Sequence, residues 1–239
     1  MPSTTVDEAV RRTSETRREP RSTRERVLAA AGTVPGAAMA VALGALAAVR
    51  RTKPVHPAGK VGIGELEVTS PRPEFGVPLL ATPGTHSATA RFSRTVGLPV
   101  SWPDIEGLAL RLDDEDADML FASTGVGRFS RFLIQARQAD DHGPQTTFLP
   151  VSTRSGSLLL RMTPLDQADP PTTWELSAAH AGSEWKPVGV LRVAWGVDQP
   201  MRFDPVENVL PGTRQYPLVQ VLREPAYLLS RRAVTNPRT

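Results

Sequence analysis

Three short, dispersed segments hold the residues whose types and order could do chemistry together. The first is Val55-His56-Pro57-Ala58-Gly59-Lys60, which leads into the run VGIGELEV. The second is Ala90-Arg91-Phe92-Ser93-Arg94, followed by Pro103-Asp104-Ile105-Glu106-Gly107-Leu108-Ala109-Leu110. The third is Phe203-Asp204-Pro205, then Pro211-Gly212, then Arg223-Glu224-Pro225-Ala226-Tyr227. An imidazole exchanges protons near neutral pH. A phenol, whose ordinary pKa is about 10, becomes an anionic ligand where a neighbouring guanidinium favours the charged form. Arg223 and Tyr227 stand one helical turn apart, a spacing that ordinary helix packing also produces. A fourth feature is the acidic run Leu112–Met119, LDDEDADM, with Asp113, Asp114, Glu115, Asp116 and Asp118. Its oxygens could take a hard cation, but it lacks the Gly and Glu positions of a calcium-binding loop, and a solvated hairpin turn is the favoured reading.

Other chemistries are excluded by what is missing. With no cysteine, the chain has no disulfide framework, no thiolate metal or haem ligand and no thiol nucleophile. His56, His86, His142 and His180 share no close spacing, so no His-pair metal motif exists, and His86, His142 and His180 are expected to be solvated. There is no G-x-S-x-G elbow, Walker A loop or Gly-rich dinucleotide turn.

In order and spacing the three segments resemble the haem-catalase superfamily, in a short form similar to catalase-related peroxidases. That family places a distal histidine in a V-H-x-x-G context before the first barrel strand. A V-R-F-S segment and a D-x-x-G-x-A strand follow, and a proximal tyrosine comes late in R-x-x-x-Y after an F-D-P…P-G segment. The matching positions here are His56, Arg91, Ser93, Asp104, Gly107, Arg223 and Tyr227, and the resemblance covers roughly residues 54–232. It implies haem b as cofactor, with Tyr227 as the axial ligand of the iron and Arg223 supporting its phenolate. It also implies Arg91 at a propionate, His56 as the proton shuttle and Ser93 orienting the His56 ring. The implied activity is on hydrogen peroxide or organic hydroperoxides, with a small-molecule reductant, in a homo-oligomer. Two departures bear on this. Where catalases carry a distal asparagine, this chain reads Asp118-Met119-Leu120-Phe121-Ala122-Ser123-Thr124-Gly125, without an amide, which favours a peroxidase over a fast catalase. Pro225 also interrupts Arg223–Tyr227 unless a helix begins there.

The elements that must position these residues are short strands. Runs suited to strands are Lys60–Val68, Ala88–Ser93, Ile105–Leu112, Gln145–Val151, Leu158–Met162, Thr173–Ala179 and Val188–Trp195, with Met119–Ala122 a further apolar run. Gly127–Arg137 and Pro217–Arg232 read as helices. The four tryptophans are expected in the core or at its rim. Many strands followed by a late helix give an α+β class with an antiparallel sheet closed into a barrel of the catalase-like type.

The 239 residues divide into an Arg-rich arm (1–26), an apolar helical segment (27–53) and the barrel domain (54–239). Residues 1–53 carry ten Lys/Arg against five Asp/Glu, so the basic balance of the chain is an arginine tail and the remainder is about −2. No nucleic-acid partner is expected of such a body. Val27–Val49 holds 23 uncharged residues, long enough to span a bilayer but rich in Ala and broken by Pro35. A packed helix, a membrane contact and a secretory signal all remain readings of it, in that order. The expected location is the cytoplasm, with membrane association through 27–49 as the variant. Two functional alternatives stand beside the haem enzyme: a haem-free binding or membrane-associated interaction module on the same barrel, and a metal-dependent phosphodiesterase using Asp113–Asp118.

Overall fold

A computed structural model of the chain describes residues 59–94, 101–199 and 201–216. His56, Arg223 and Tyr227 lie outside the described residues, as do the arm, the apolar segment 27–53 and the expected helix Pro217–Arg232.

Alternation is strictest in one central strand. In Glu106–Leu112 every second residue is buried, which places Glu106, Leu108, Leu110 and Leu112 on one face and Gly107, Ala109 and Arg111 on the other. Nine strands form among the described residues: β1 Gly59–Val68, β2 Gly84–Arg94, β3 Glu106–Leu112, β4 Ala117–Ser123, β5 Gln145–Thr146, β6 Val151–Thr153, β7 Gly156–Pro164, β8 Thr173–His180 and β9 Lys186–Trp195. Their order is β5-β4-β3-β2-β1-β9-β8-β7-β6, and β5 also pairs with β7. That last pairing closes eight strands into an antiparallel barrel, with β6 appended to β7 as a hairpin arm. Closure removes the free edges that an open sheet would expose.

The inner faces meet in one apolar core that includes Leu66, Ala90, Leu108, Leu110, Met119, Leu160, Met162, Trp174, Leu176 and Leu191. Each fully buried Leu contributes about 1.5–3 kcal/mol. The barrel is drawn tight where β1 meets β9, because a Cβ on Gly64 would overlap the Arg192 carbonyl oxygen and one on Gly189 the Glu67 carbonyl oxygen. At one end the β1–β2 connection covers the core with a 3-10 turn, Pro73–Phe75, and a single helical turn α1, Pro78–Ala81. Phe75, Val77, Leu79 and Leu80 are the buried residues of that cover. At the other end Phe92 gathers His142, Trp174 and Trp195, with ring centroids 5.6, 6.1 and 6.3 Å away.

Two expected elements come out differently. Gly127–Arg137 is not a helix: only Ser130–Phe132 makes a 3-10 turn. The segment instead returns along the end of β4, with Thr124 bridging Ile134 and the Gln135 N–H donating to the Ser123 carbonyl. Arg131 is buried and stacks on Trp185 at 4.6 Å, with Arg161 at 4.9 Å from the same ring, which anchors the loop by its side chains. The expected strand Gln145–Val151 splits into β5 and β6, because Phe148 adopts the left-handed region at φ 59° and turns the chain between them. Of the tryptophans, Trp174 is core, Trp185 and Trp195 are half-buried, and Trp102 is exposed.

Candidate functional site

β2 carries two of the expected site residues, Arg91 and Ser93, two positions apart and therefore on one face. Ala88, Ala90 and Phe92 take the core face, so Arg91 and Ser93 stand on the outer wall of the barrel. Register then fixes their neighbours. Gly59 of β1 pairs with Ser93, Ser93 with Gly107 of β3, and Gly107 with Ala122 of β4. Four of the smallest side chains thus form a row across four strands. The next row on the same face is Val61, Arg91, Ala109 and Leu120. Ser93 and Val61 are buried although they face outward.

Arg91 is held rather than free. Its Nε and Nη2 donate to the two carboxylate oxygens of Asp198, each at 3.2 Å, and the Gly59 N–H donates to Asp198 Oδ2 at 3.1 Å. A Cβ on Gly59 would press on the Arg91 guanidinium, so glycine at this position lets the arginine lie against the β1 backbone. The matched Asp104 is buried at the same barrel end, and its backbone exchanges hydrogen bonds with Arg137 at 2.9 and 2.8 Å. Ser123, in the stretch where the asparagine is missing, faces inward. Its Oγ accepts from the Glu106 N–H at 3.1 Å and donates to the Gln135 carbonyl at 2.6 Å. Both roles of the hydroxyl are therefore filled within the fold.

The acidic run divides between turn and strand: Asp113 to Asp116 fit the solvated hairpin turn expected of it, whereas Asp118 is buried on β4. Asp113 to Asp116 form the β3–β4 turn, where Asp113 accepts from Thr89 Oγ1 at 3.2 Å and Asp114 lies 2.8 Å from His86 Nδ1. Asp118 sits on β4 and is engaged four times. It takes Arg111 through Nε and Nη2 at 2.8 Å each, the Asp204 N–H at 2.7 Å and Asn208 Nδ2 at 2.8 Å. The hydrogen bonds and charge of Asp118 hold the Arg111 guanidinium above its ordinary range, against the opposing effect of burial. Asp118 is thus the anchor for the Phe203-Asp204-Pro205 segment, which runs by the turn end of β4, away from Ser123. Among the described residues no three His, Cys, Asp or Glu side chains come together as a metal-binding group.

One pair was not foreseen. His142, expected to be solvated, is buried with its side chain 3% exposed, and its Nδ1 lies 2.7 Å from Glu106 Oε1. Glu106 is equally buried, and desolvation pushes its carboxyl up from the ordinary value, opposed by the hydrogen bond and charge of His142. The reason is topological. Alternation puts Glu106 on the core face of β3, and the loop before β5 brings His142 over that end of the barrel to meet it. The other two described histidines, His86 and His180, are half-buried rather than fully solvated, with His180 Nδ1 at 2.9 Å from the Ser157 carbonyl.

No family model matches the chain, and no curated protein does. Solved structures do. A bacterial catalase aligns with TM-score 0.53 at 15% identity over 79% of this chain and 59% of its own length. Catalase A from Saccharomyces cerevisiae aligns with TM-score 0.50 at 12% identity over 78% of this chain and 63% of its own. The chain spans less than two thirds of either catalase. At these identities the likeness is one of fold: an antiparallel eight-stranded β-barrel of the catalase-like type with few helices.

Proposed function

We propose that this chain is a b-type haem protein that uses hydrogen peroxide or an organic hydroperoxide, as a peroxidase rather than as a fast catalase. The observation that carries the reading is the row Gly59, Ser93, Gly107 and Ala122, which keeps side chains off the outer wall where a flat macrocycle would lie. Arg91 borders that row on the same face and can meet a propionate through the part of its guanidinium that Asp198 leaves free. Tyr227 would hold the iron as phenolate, with Arg223 favouring the charged form. His56 precedes Gly59 by three residues, and its neutral imidazole would take the proton of a hydroperoxide and return it to the leaving oxygen. Ser93, paired with Gly59, would orient that ring. Bound haem supplies the electrons for cleavage of the O–O bond, and the chain supplies position and proton transfer.

Rapid disproportionation of hydrogen peroxide is disfavoured because the stretch Asp118–Gly125 offers no amide and the Ser123 hydroxyl is engaged inside the barrel. The second substrate is then a small-molecule reductant. The expected cytoplasmic location, with membrane contact through 27–49, and the homo-oligomer belong to the same proposal. A second reading, a haem-free binding module on the same barrel, is favoured by one feature: Asp198 already neutralises Arg91. Titrating the haem-depleted chain with haem b, followed by its Soret band, separates the two. The haem reading expects stoichiometric binding that weakens at least tenfold in Ala122→Leu, which fills the row. No binding by the native chain, or equal binding by the variant, overturns it.

A further inference from the structure

Beneath the loop that carries Asp169, a cleft of about 700 Å³ opens at the barrel end, lined by Ser101, Gln138, Asp140, His142, Gln167 and Asp169. We propose that His142 and Asp169 bind a divalent transition cation such as Zn²⁺ there, with Glu106 as the outer carboxylate that orients the ring.

The ring is fixed on one side only. Glu106 Oε1 at 2.7 Å from Nδ1 fixes the ring on that side, so Nε2 is the ring nitrogen left to take a ligand. Nε2 is buried and has no hydrogen-bond partner. The atom that faces it is Asp169 Oδ1 at 3.5 Å. That separation is too long for an N–H···O hydrogen bond, whose usual length is about 2.9–3.0 Å. It matches the edge of a tetrahedral metal site, since Zn–N and Zn–O bonds of about 2.0–2.2 Å at angles near 110–120° span about 3.3–3.7 Å. The Asp169 carboxylate that faces Nε2 is the anionic ligand a dication would take. The nearby Lys60 ammonium does not fill this role, because it donates to the Asp169 carbonyl oxygen at 2.9 Å and leaves the carboxylate available.

A carboxylate behind a ligating imidazole is the usual outer support of a metal-bound histidine. Phe92, edge-on to the His142 ring at 5.6 Å, adds a packing restraint on its tilt. With two protein ligands, the remaining positions fall to water from the cleft, which makes this an open, exchangeable site rather than a closed structural one.

The test is Zn²⁺ titration of the tag-free full-length chain by isothermal calorimetry, repeated with Co²⁺ followed by its visible absorption. One equivalent is expected per chain, with binding lost in His142→Ala and weakened at least tenfold in Asp169→Asn. In Glu106→Gln it should weaken about 10- to 100-fold. Asp169 is 77% exposed, so Asp169→Asn leaves the fold intact and decides the matter even where His142→Ala fails to fold. His86→Ala and Tyr227→Phe should bind Zn²⁺ as the native chain does, which keeps this site distinct from the haem reading. Absence of binding at millimolar Zn²⁺, or binding unchanged in Asp169→Asn or lost in His86→Ala, overturns the proposal.

Discussion

Replacing Asp118 by Ala removes a fully buried carboxylate that accepts four hydrogen bonds. Its side chain is fully buried and accepts two hydrogen bonds from Arg111, one from the Asp204 backbone and one from Asn208. The variant leaves Arg111, itself 27% exposed, with the Arg202 carbonyl at 2.8 Å and the Phe203 ring at 5.4 Å, and it removes the acceptor of the buried Asp204 N–H. Breaking a buried pair by removing one partner costs about 3–5 kcal/mol, and the four contacts are not additive, so that range is the expected loss. For a domain of this size each kcal/mol moves Tm by about 2–4 °C, which places the shift between about 6 and 20 °C. Asp113→Ala, an acid of the same run in the β3–β4 turn, should move Tm by less than about 2 °C, as surface changes stay within about 0.5 kcal/mol. Calorimetric melting of the three proteins, with and without EDTA, reads the effect. A structural anchor predicts the same Asp118→Ala loss in both buffers. A loss below about 2 °C, or one that disappears when both proteins are compared in EDTA, would refute the reasoning and favour a metal-holding role for the run.

Glu106 gives a prediction in pH. Burial raises its carboxyl above the ordinary value of 4.5, so the folded chain holds that proton more tightly than the unfolded chain. Its favourable contribution is complete below about pH 4.5 and is lost as pH rises through the raised value. Urea unfolding across that window should show Glu106→Gln gaining on the native chain as pH increases; a flat or opposite trend contradicts the assignment. On the outer wall, Asp198→Asn removes the carboxylate that competes for Arg91 and should tighten haem binding several-fold, whereas Arg91→Ala should weaken it. Equal haem affinity in both variants would remove Arg91 from the account.

The barrel was legible in part, through short apolar runs separated by turns and one strand that alternates cleanly. Glu106–Leu112 declares its inner face in Leu108, Leu110 and Leu112, whereas Gly59–Val68 carries Val61 and Ile63 outward and is placed by its pairing with β2 and β9. The loops were less legible. Gly127–Arg137 carries helix-compatible residues, but Arg131 is committed to Trp185 and Gln135 to the Ser123 carbonyl, contacts that local sequence does not encode. Phe148 breaks the run Gln145–Val151 by adopting a conformation that nothing in its type demands. Arg91 and Ser93 were readable as a strand pair, but Asp198, more than a hundred residues away, was not readable as the partner of Arg91. A signal for His142 did exist: an acid at the core-facing position 106 requires a buried partner. Its identity depended on how the loop before β5 crosses the barrel end. His56, Arg223 and Tyr227 rest on the sequence resemblance alone.

The visible absorption spectrum of chain purified from haem-replete cells, beside Tyr227→Phe, tests the central claim most directly. The account predicts a Soret band in the native chain that weakens or shifts in the variant, as loss of a proposed phenolate ligand would require. A native chain that is colourless and stays so on addition of haem, or a band unmoved by Tyr227→Phe, would contradict it.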